Sequence, residues 1–79
     1  MTLGSYLVKY DKRISQHGKT CRRVARVLLV SPYYLEMVAR GHKQLSPKKA
    51  ALLELATNQE VVRRSMWPTF PWEVIGKAA

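Results

Sequence analysis

A chain of 79 residues has room for one small domain with a modest core, and with 47% apolar residues it is too hydrophobic for a disordered tail. Fourteen Lys and Arg against five Asp and Glu leave a net charge of +9, which points to a polyanionic partner, either nucleic acid or an anionic membrane surface. For so short and basic a chain, nucleic acid is the expected partner. No unbroken apolar run, Val27 to Val30 included, approaches the roughly 18 residues of a membrane span. The opening "MTLGSYLVKY" has no basic leader before an apolar block, so no secretory signal is expected. Cys21 stands alone, which excludes an internal disulfide, and one Cys with two His cannot complete a four-ligand zinc site. A reducing cytoplasm is the expected compartment.

Apolar residues recur at helical spacing through most of the chain, without internal repeats or low-complexity tracts. Leu3, Tyr6, Leu7, Tyr10 and Ile14 mark one face of a first helix over residues 3–14, with Thr2 as its N-cap. "SQHG" breaks it. A second helix is expected from Lys19 or Thr20, with Thr20 as a possible cap. Val24, Leu28 and Cys21 lie on one face with Ala25 beside them, and Arg22, Arg23 and Arg26 lie mostly on the other. Ser31-Pro32 is a strong start for a third helix: Ser at the N-cap, and Pro at the first position, where its missing N–H is no loss. That helix carries Leu35, Val38 and Ala39 inward and ends at Gly41.

Ser46-Pro47 repeats the signal and opens a fourth helix, Pro47 to about Ala56, with Ala50, Leu52, Leu53 and Leu55 for burial. "TNQE" closes it. "VVRRSM" reads as a short fifth helix or the end of a strand, and the two prolines of "WPTFPWEVI" make that stretch an extended arm. The expected class is all-α: four or five short helices in one domain, residues 1–66, followed by an arm, residues 67–79.

Two short helices joined by three or four residues and crossing steeply form a helix-turn-helix. That motif needs a small residue where the helices cross, large apolar residues before and within the turn, and apolar residues facing back from the second helix. Ala25, then Val24, Leu28 and Val30, then Leu35 and Val38 meet each requirement in register.

The stretch "VARVLLVSPYYLEMVARGHKQLSPKKAALLELAT" resembles the DNA-binding domain of the phage Cro/CI-type repressors, most closely the small Cro-like (YdaS-type) group. The resemblance covers roughly Thr20 to Thr57, with a weaker echo in "VVRRSMWP". It implies a lambda-repressor-like fold and a cytoplasmic, usually homodimeric repressor bound to operator DNA. Four positions depart from the family habit. Leu29 stands where the turn usually has Gly, and left-handed backbone there costs a residue with a Cβ about 1 kcal/mol or somewhat more. Cys21 replaces a Gln that touches phosphate, and Glu36 and Met37 replace a polar pair on the reading helix.

In that geometry the second helix of the motif lies in the major groove. Helical spacing makes Pro32, Tyr33, Glu36, Met37 and Arg40 the base-reading candidates. Arg40 can pair with guanine or hold a phosphate; Met37 and Pro32 can press on a thymine methyl. Glu36 can accept from cytosine or pair with a nearby Arg and orient it, the second being favoured because phosphates repel a free carboxylate. The phosphate candidates are Thr20, Arg22 and Arg23 at the start of the second helix, where free N–H groups also favour anions, then Ser31 and Tyr34, then Lys43, Gln44, Ser46 and Lys48. A half-buried ring at the core edge is the other reading for Tyr33 and Tyr34. Lys9, Lys12 and Arg13 read as solvated surface.

Trp67, Phe70, Trp72, Val74 and Ile75 put much apolar surface on the arm. It either folds back on the core or forms the homodimer interface that operator half-sites one DNA turn apart require. The expected function is a sequence-specific, Cro-like repressor of phage or prophage type on a pseudo-palindromic operator. The alternatives are an antitoxin- or antirepressor-type protein-interaction module, or an activator on the same scaffold. No enzyme is implied: there is no Ser-His-Asp or Cys-His arrangement, no Gly-rich phosphate loop, and no paired carboxylates. No cofactor, metal or small-molecule ligand is expected.

Overall fold

A computed structural model describes residues 1–67. Four α-helices, α1 (Leu3–Asp11), α2 (Lys19–Leu28), α3 (Pro32–Ala39) and α4 (Pro47–Ala56), are followed by a single 3₁₀ turn at Arg63–Ser65. No strand occurs among the described residues, so "VVRRSM" is a short helical turn.

The helix starts follow local chemistry. Thr2, Ser31 and Ser46 each accept a hydrogen bond from the backbone N–H three residues on, at Ser5, Tyr34 and Lys49. Pro32 and Pro47 occupy the first positions of α3 and α4. α2 starts differently. Its N-cap is Gly18 rather than Thr20, and no side chain of its own caps it. Asp11, the last residue of α1, does so instead: Oδ1 accepts from Thr20 N–H at 3.0 Å and Oδ2 from Cys21 N–H at 3.1 Å.

α1 ends three residues before the expected Ile14, because Lys12 takes a left-handed conformation (φ 70°) and turns the chain. Two consequences correct the reading of the first helix. Ile14 lies outside it but still packs on the core. Tyr10 is exposed rather than buried, its ring tilted 54° against Tyr6 at 4.8 Å and its hydroxyl donating to Glu60.

α2 is the central element and packs against α1, α3 and α4. Cys21, Val24, Ala25 and Leu28, spaced i, i+3, i+4, i+7, are completely buried. Leu3, Tyr6 and Leu7 of α1, Leu35 and Val38 of α3, Leu45 from the α3–α4 loop, and Ala50 and Leu53 of α4 close around them, with Val61 sealing the far end. Leu55 does not join them, as its place in the core reading required. It is 65% exposed, because Leu53 sets the inward direction of α4 and a residue two positions on points away from it.

The α2–α3 turn is residues 29–31. Leu29 is left-handed (φ 59°, ψ 42°), as the family pattern implies for this position. Leu29 N–H donates to Arg26 C=O and Val30 N–H to Ala25 C=O, the paired bonds of a Schellman stop. The same bonds end α3 around Gly41 and α4 around Asn58. Gly and Asn tolerate that backbone; Leu29 adopts it with a Cβ and with 85% of its surface in solvent.

Candidate nucleic-acid interface

α3 turns Leu35 and Val38 into the core, which leaves Pro32, Tyr33, Glu36, Met37 and Arg40 on its outer side. They share one face, but they are not equally available. Glu36 Oε1 accepts from Gln16 N–H at 2.6 Å, and Oε2 from Arg40 Nε at 3.1 Å. The guanidinium also donates from Nη2 to Ile14 C=O at 2.8 Å. Two i,i+4 residues of α3 thus grip the loop between α1 and α2. The Gln16 N–H and then the Arg40 guanidinium hold the Glu36 carboxyl below the usual carboxylate range. The favoured reading of Glu36, an acid that orients an arginine, matches this geometry: both its carboxylate oxygens are engaged, whereas Arg40 commits Nε and one Nη2 N–H and keeps Nη1 without a partner among the described residues. Pro32 and Met37 are half-buried, and Tyr33 is 55% exposed, its hydroxyl without a hydrogen bond among the described residues.

The phosphate candidates divide in the same way. Arg23 spans the domain, donating to Tyr6 Oη at 3.0 Å and to Ala56 C=O at 3.2 Å. It is a strut between α1, α2 and α4. The N–H groups of Thr20 and Cys21, expected to favour a phosphate, face Asp11 instead. Tyr34 is half-buried and donates its hydroxyl proton to Gln44 C=O at 3.1 Å, so its proton is not offered outward. Ser31 and Ser46 are exposed and each accepts one helix N–H, while their hydroxyl protons have no acceptor among the described residues. Gln44 remains exposed, with its amide donating to Met66 C=O at 3.5 Å. Arg22, Lys43 and Lys48 are exposed, and their side chains make no hydrogen bond or ion pair with other described residues.

The acids show why the surface is so basic. Every carboxylate among the described residues is engaged within the domain. Asp11 caps α2 and Glu36 holds the α1–α2 loop. Glu54 accepts from Arg63 N–H and faces its guanidinium at 3.3 Å. Glu60 pairs with Lys9 at 2.7 Å and accepts from Tyr10, so Lys9 is not the plain solvated charge it was taken for. Lys12, Arg13, Lys19, Arg22, Arg26, Lys43, Lys48 and Arg64 have no ion-pair partner among the described residues. Lys19, Arg22 and Arg26 fall at i, i+3 and i+7 of α2, a basic ridge on the helix before the turn. Lys19 and Arg26 belong with Arg22 as contact candidates, and their spacing in the sequence was signal enough to include them. Lys49 is a different case: its ammonium donates to Leu28 C=O at 2.8 Å and caps the end of α2, and no local pattern announces that.

Cys21 cannot stand in for a phosphate-binding Gln. It is fully buried with its thiol 3.7 Å from Pro32 C=O, and burial, then the charges of Asp11 and Glu36, push that thiol up to about 11. Trp67, assigned to a dimer interface, is half-buried against its own chain, with Nε1 donating to Leu45 C=O at 2.8 Å. Together with Tyr34, Val30, Leu45 and Pro47 it lines a groove beside the turn. Phe70, Trp72, Val74 and Ile75 lie outside the described residues. No group of three potential metal ligands occurs among the described residues, and no helix there is long and apolar enough to cross a membrane. No family model matches the chain, and neither a curated protein nor a solved structure does.

Proposed function

We propose that this protein is a sequence-specific, double-stranded DNA-binding repressor of the Cro-like, phage or prophage kind. It acts in a bacterial cytoplasm as a homodimer on a pseudo-palindromic operator, and represses by occupying the promoter. The observation that carries this reading is a division of labour: the carboxylates turn inward to hold the domain together, while unpaired cations flank an outward-facing α3 that follows a tight turn. A duplex offers regularly spaced phosphates to such cations and a major groove wide enough for such a helix.

Binding of labelled duplex from the region upstream of the gene, followed at increasing salt, tests the proposal. If about six phosphates are neutralised, log K falls against log salt with a slope of about −5. A slope near zero, or equal affinity for every duplex, removes it. Sedimentation of the full chain with and without the duplex tests the dimer.

A further inference from the structure

Resting on the DNA-binding reading, we infer that α3 reads bases by contact with thymine C5-methyl groups, through Tyr33, Met37 and Pro32. The inference comes from what the fold removes from the face. The major groove is commonly read by bidentate hydrogen bonds, Arg or Lys to guanine and Asn or Gln to adenine. α3 contains no Lys, Asn or Gln. Its one acid, Glu36, accepts from Gln16 N–H and from Arg40, and its side chain is only 15% exposed. The arginine at its end gives Nε to Glu36 and one Nη2 N–H to Ile14 C=O, which ties the guanidinium to the α1–α2 loop and leaves Nη1 as its unengaged edge among the described residues. Tyr34, the other polar side chain, points to Gln44.

Beside that guanidinium edge, the outward groups are a proline ring, a thioether and an aromatic ring. Tyr33 and Met37, at i and i+4, are neighbours on the helix surface, with Pro32 beside them at the helix start. None can make a bidentate bond, and the Tyr33 hydroxyl offers a single one. The apolar feature that the groove presents at base-pair edges is the thymine methyl, so it is the group this surface can distinguish. Glu36 and Arg40 then act as positioning residues: they anchor the reading helix to the α1–α2 loop and so fix how Tyr33 and Met37 enter the groove.

The test uses the full chain. Duplexes bound from a random pool give a preferred sequence, which is then resynthesised with deoxyuridine replacing thymine at one position at a time. This substitution deletes a methyl and leaves every hydrogen-bonding group in place. Affinity is expected to fall about fourfold at each contacted methyl, the value for one apolar carbon returned to water. With Met37→Ala, at least one of those positions becomes indifferent to the substitution. With Arg40→Met, affinity falls while the order of base preferences is kept. Wild-type protein that binds every deoxyuridine duplex as well as the parent overturns the inference while leaving DNA binding intact. So does an Arg40→Met variant that loses a guanine preference at one position. A pool that yields no enriched duplex removes the DNA-binding reading and this inference together.

Discussion

The carboxylate of Asp11 lies directly over the α-carbon of Gly18: a Cβ built on Gly18 would stand 2.2 Å from Asp11 Oδ2. Gly18 has an ordinary extended backbone, φ −68° and ψ 143°, so conformational freedom does not explain the glycine. Space does. The last side chain of α1 reaches across Gly18 to the first N–H groups of α2, and any side chain there would displace it. Because the clash falls on the end of a side chain, Asp11 would swing away and the cost would be the lost cap. Gly18→Ala and Asp11→Ala should each destabilise the domain by about 1 kcal/mol. In the Asp11→Ala background, Gly18→Ala should cost almost nothing. Urea denaturation of the two single variants and the double variant measures this coupling; additive losses would mean that the two residues act separately.

Leu29 gains little from its side chain, which is 85% exposed, and bears the cost of a left-handed backbone. Leu29→Gly removes that strain, about 1–2 kcal/mol, against a somewhat smaller loss from the freer unfolded chain. A net gain of about 0.5 kcal/mol is expected, seen as a higher urea midpoint with the same slope. Leu29→Ala keeps the Cβ and should bring no such gain.

Glu36 and Glu60 predict the acid limb of the stability curve. Both carboxyls are held below their usual value of 4.5, Glu36 first by the Gln16 N–H and Glu60 first by Lys9. A depressed folded-state value means that the unfolded chain takes up protons first as the pH drops. The stabilisation is therefore complete above the usual value and is lost as the pH falls through the lower, folded-state one. In Glu36→Gln, stability measured from pH 7 down to pH 3 should start lower and fall less steeply below about pH 4.5. An unchanged slope would show that the ties to Gln16 and Arg40 do not favour the charged carboxylate.

Neighbouring arginines on α2 should separate stability from binding. Arg23 holds Tyr6 and the Ala56 carbonyl, whereas Arg22 has no partner among the described residues. Arg23→Ala should lower stability by about 1 kcal/mol. Arg22→Ala and Arg26→Ala should leave stability within about 0.5 kcal/mol of the parent. Each of these two should weaken duplex binding across all sequences and reduce the magnitude of the salt slope by about 1. Thermal melts alongside binding at several salt concentrations check both halves; an Arg22→Ala protein with an unaltered salt slope would remove it from the interface.

The motif was legible where its signals are local. Ser31-Pro32 and Ser46-Pro47 mark helix starts through a side chain that bonds three residues ahead, and the apolar spacing from Val24 to Val38 matches the buried faces of α2 and α3. Tyr10 and Leu55 were misplaced for the complementary reason: apolar spacing alone does not tell where a helix stops or which of two adjacent stripes faces inward.

Composition and local pattern were thus sufficient for the all-helical class, the position of the turn and the outward face of α3, while the left-handed backbone at Leu29 was an expectation of the family resemblance alone. The first three depend on interactions within a few residues. The fate of the charges needed the tertiary structure. Asp11 meets Thr20, Glu36 meets Gln16, Arg40 meets Ile14 and Arg23 meets Ala56, at separations of 9 to 33 residues that no helical period relates. Charge–charge and hydrogen-bond pairing depend on distance in space, and packing of the apolar faces sets that distance. Packing therefore decided which cations became struts and which remain free for a partner.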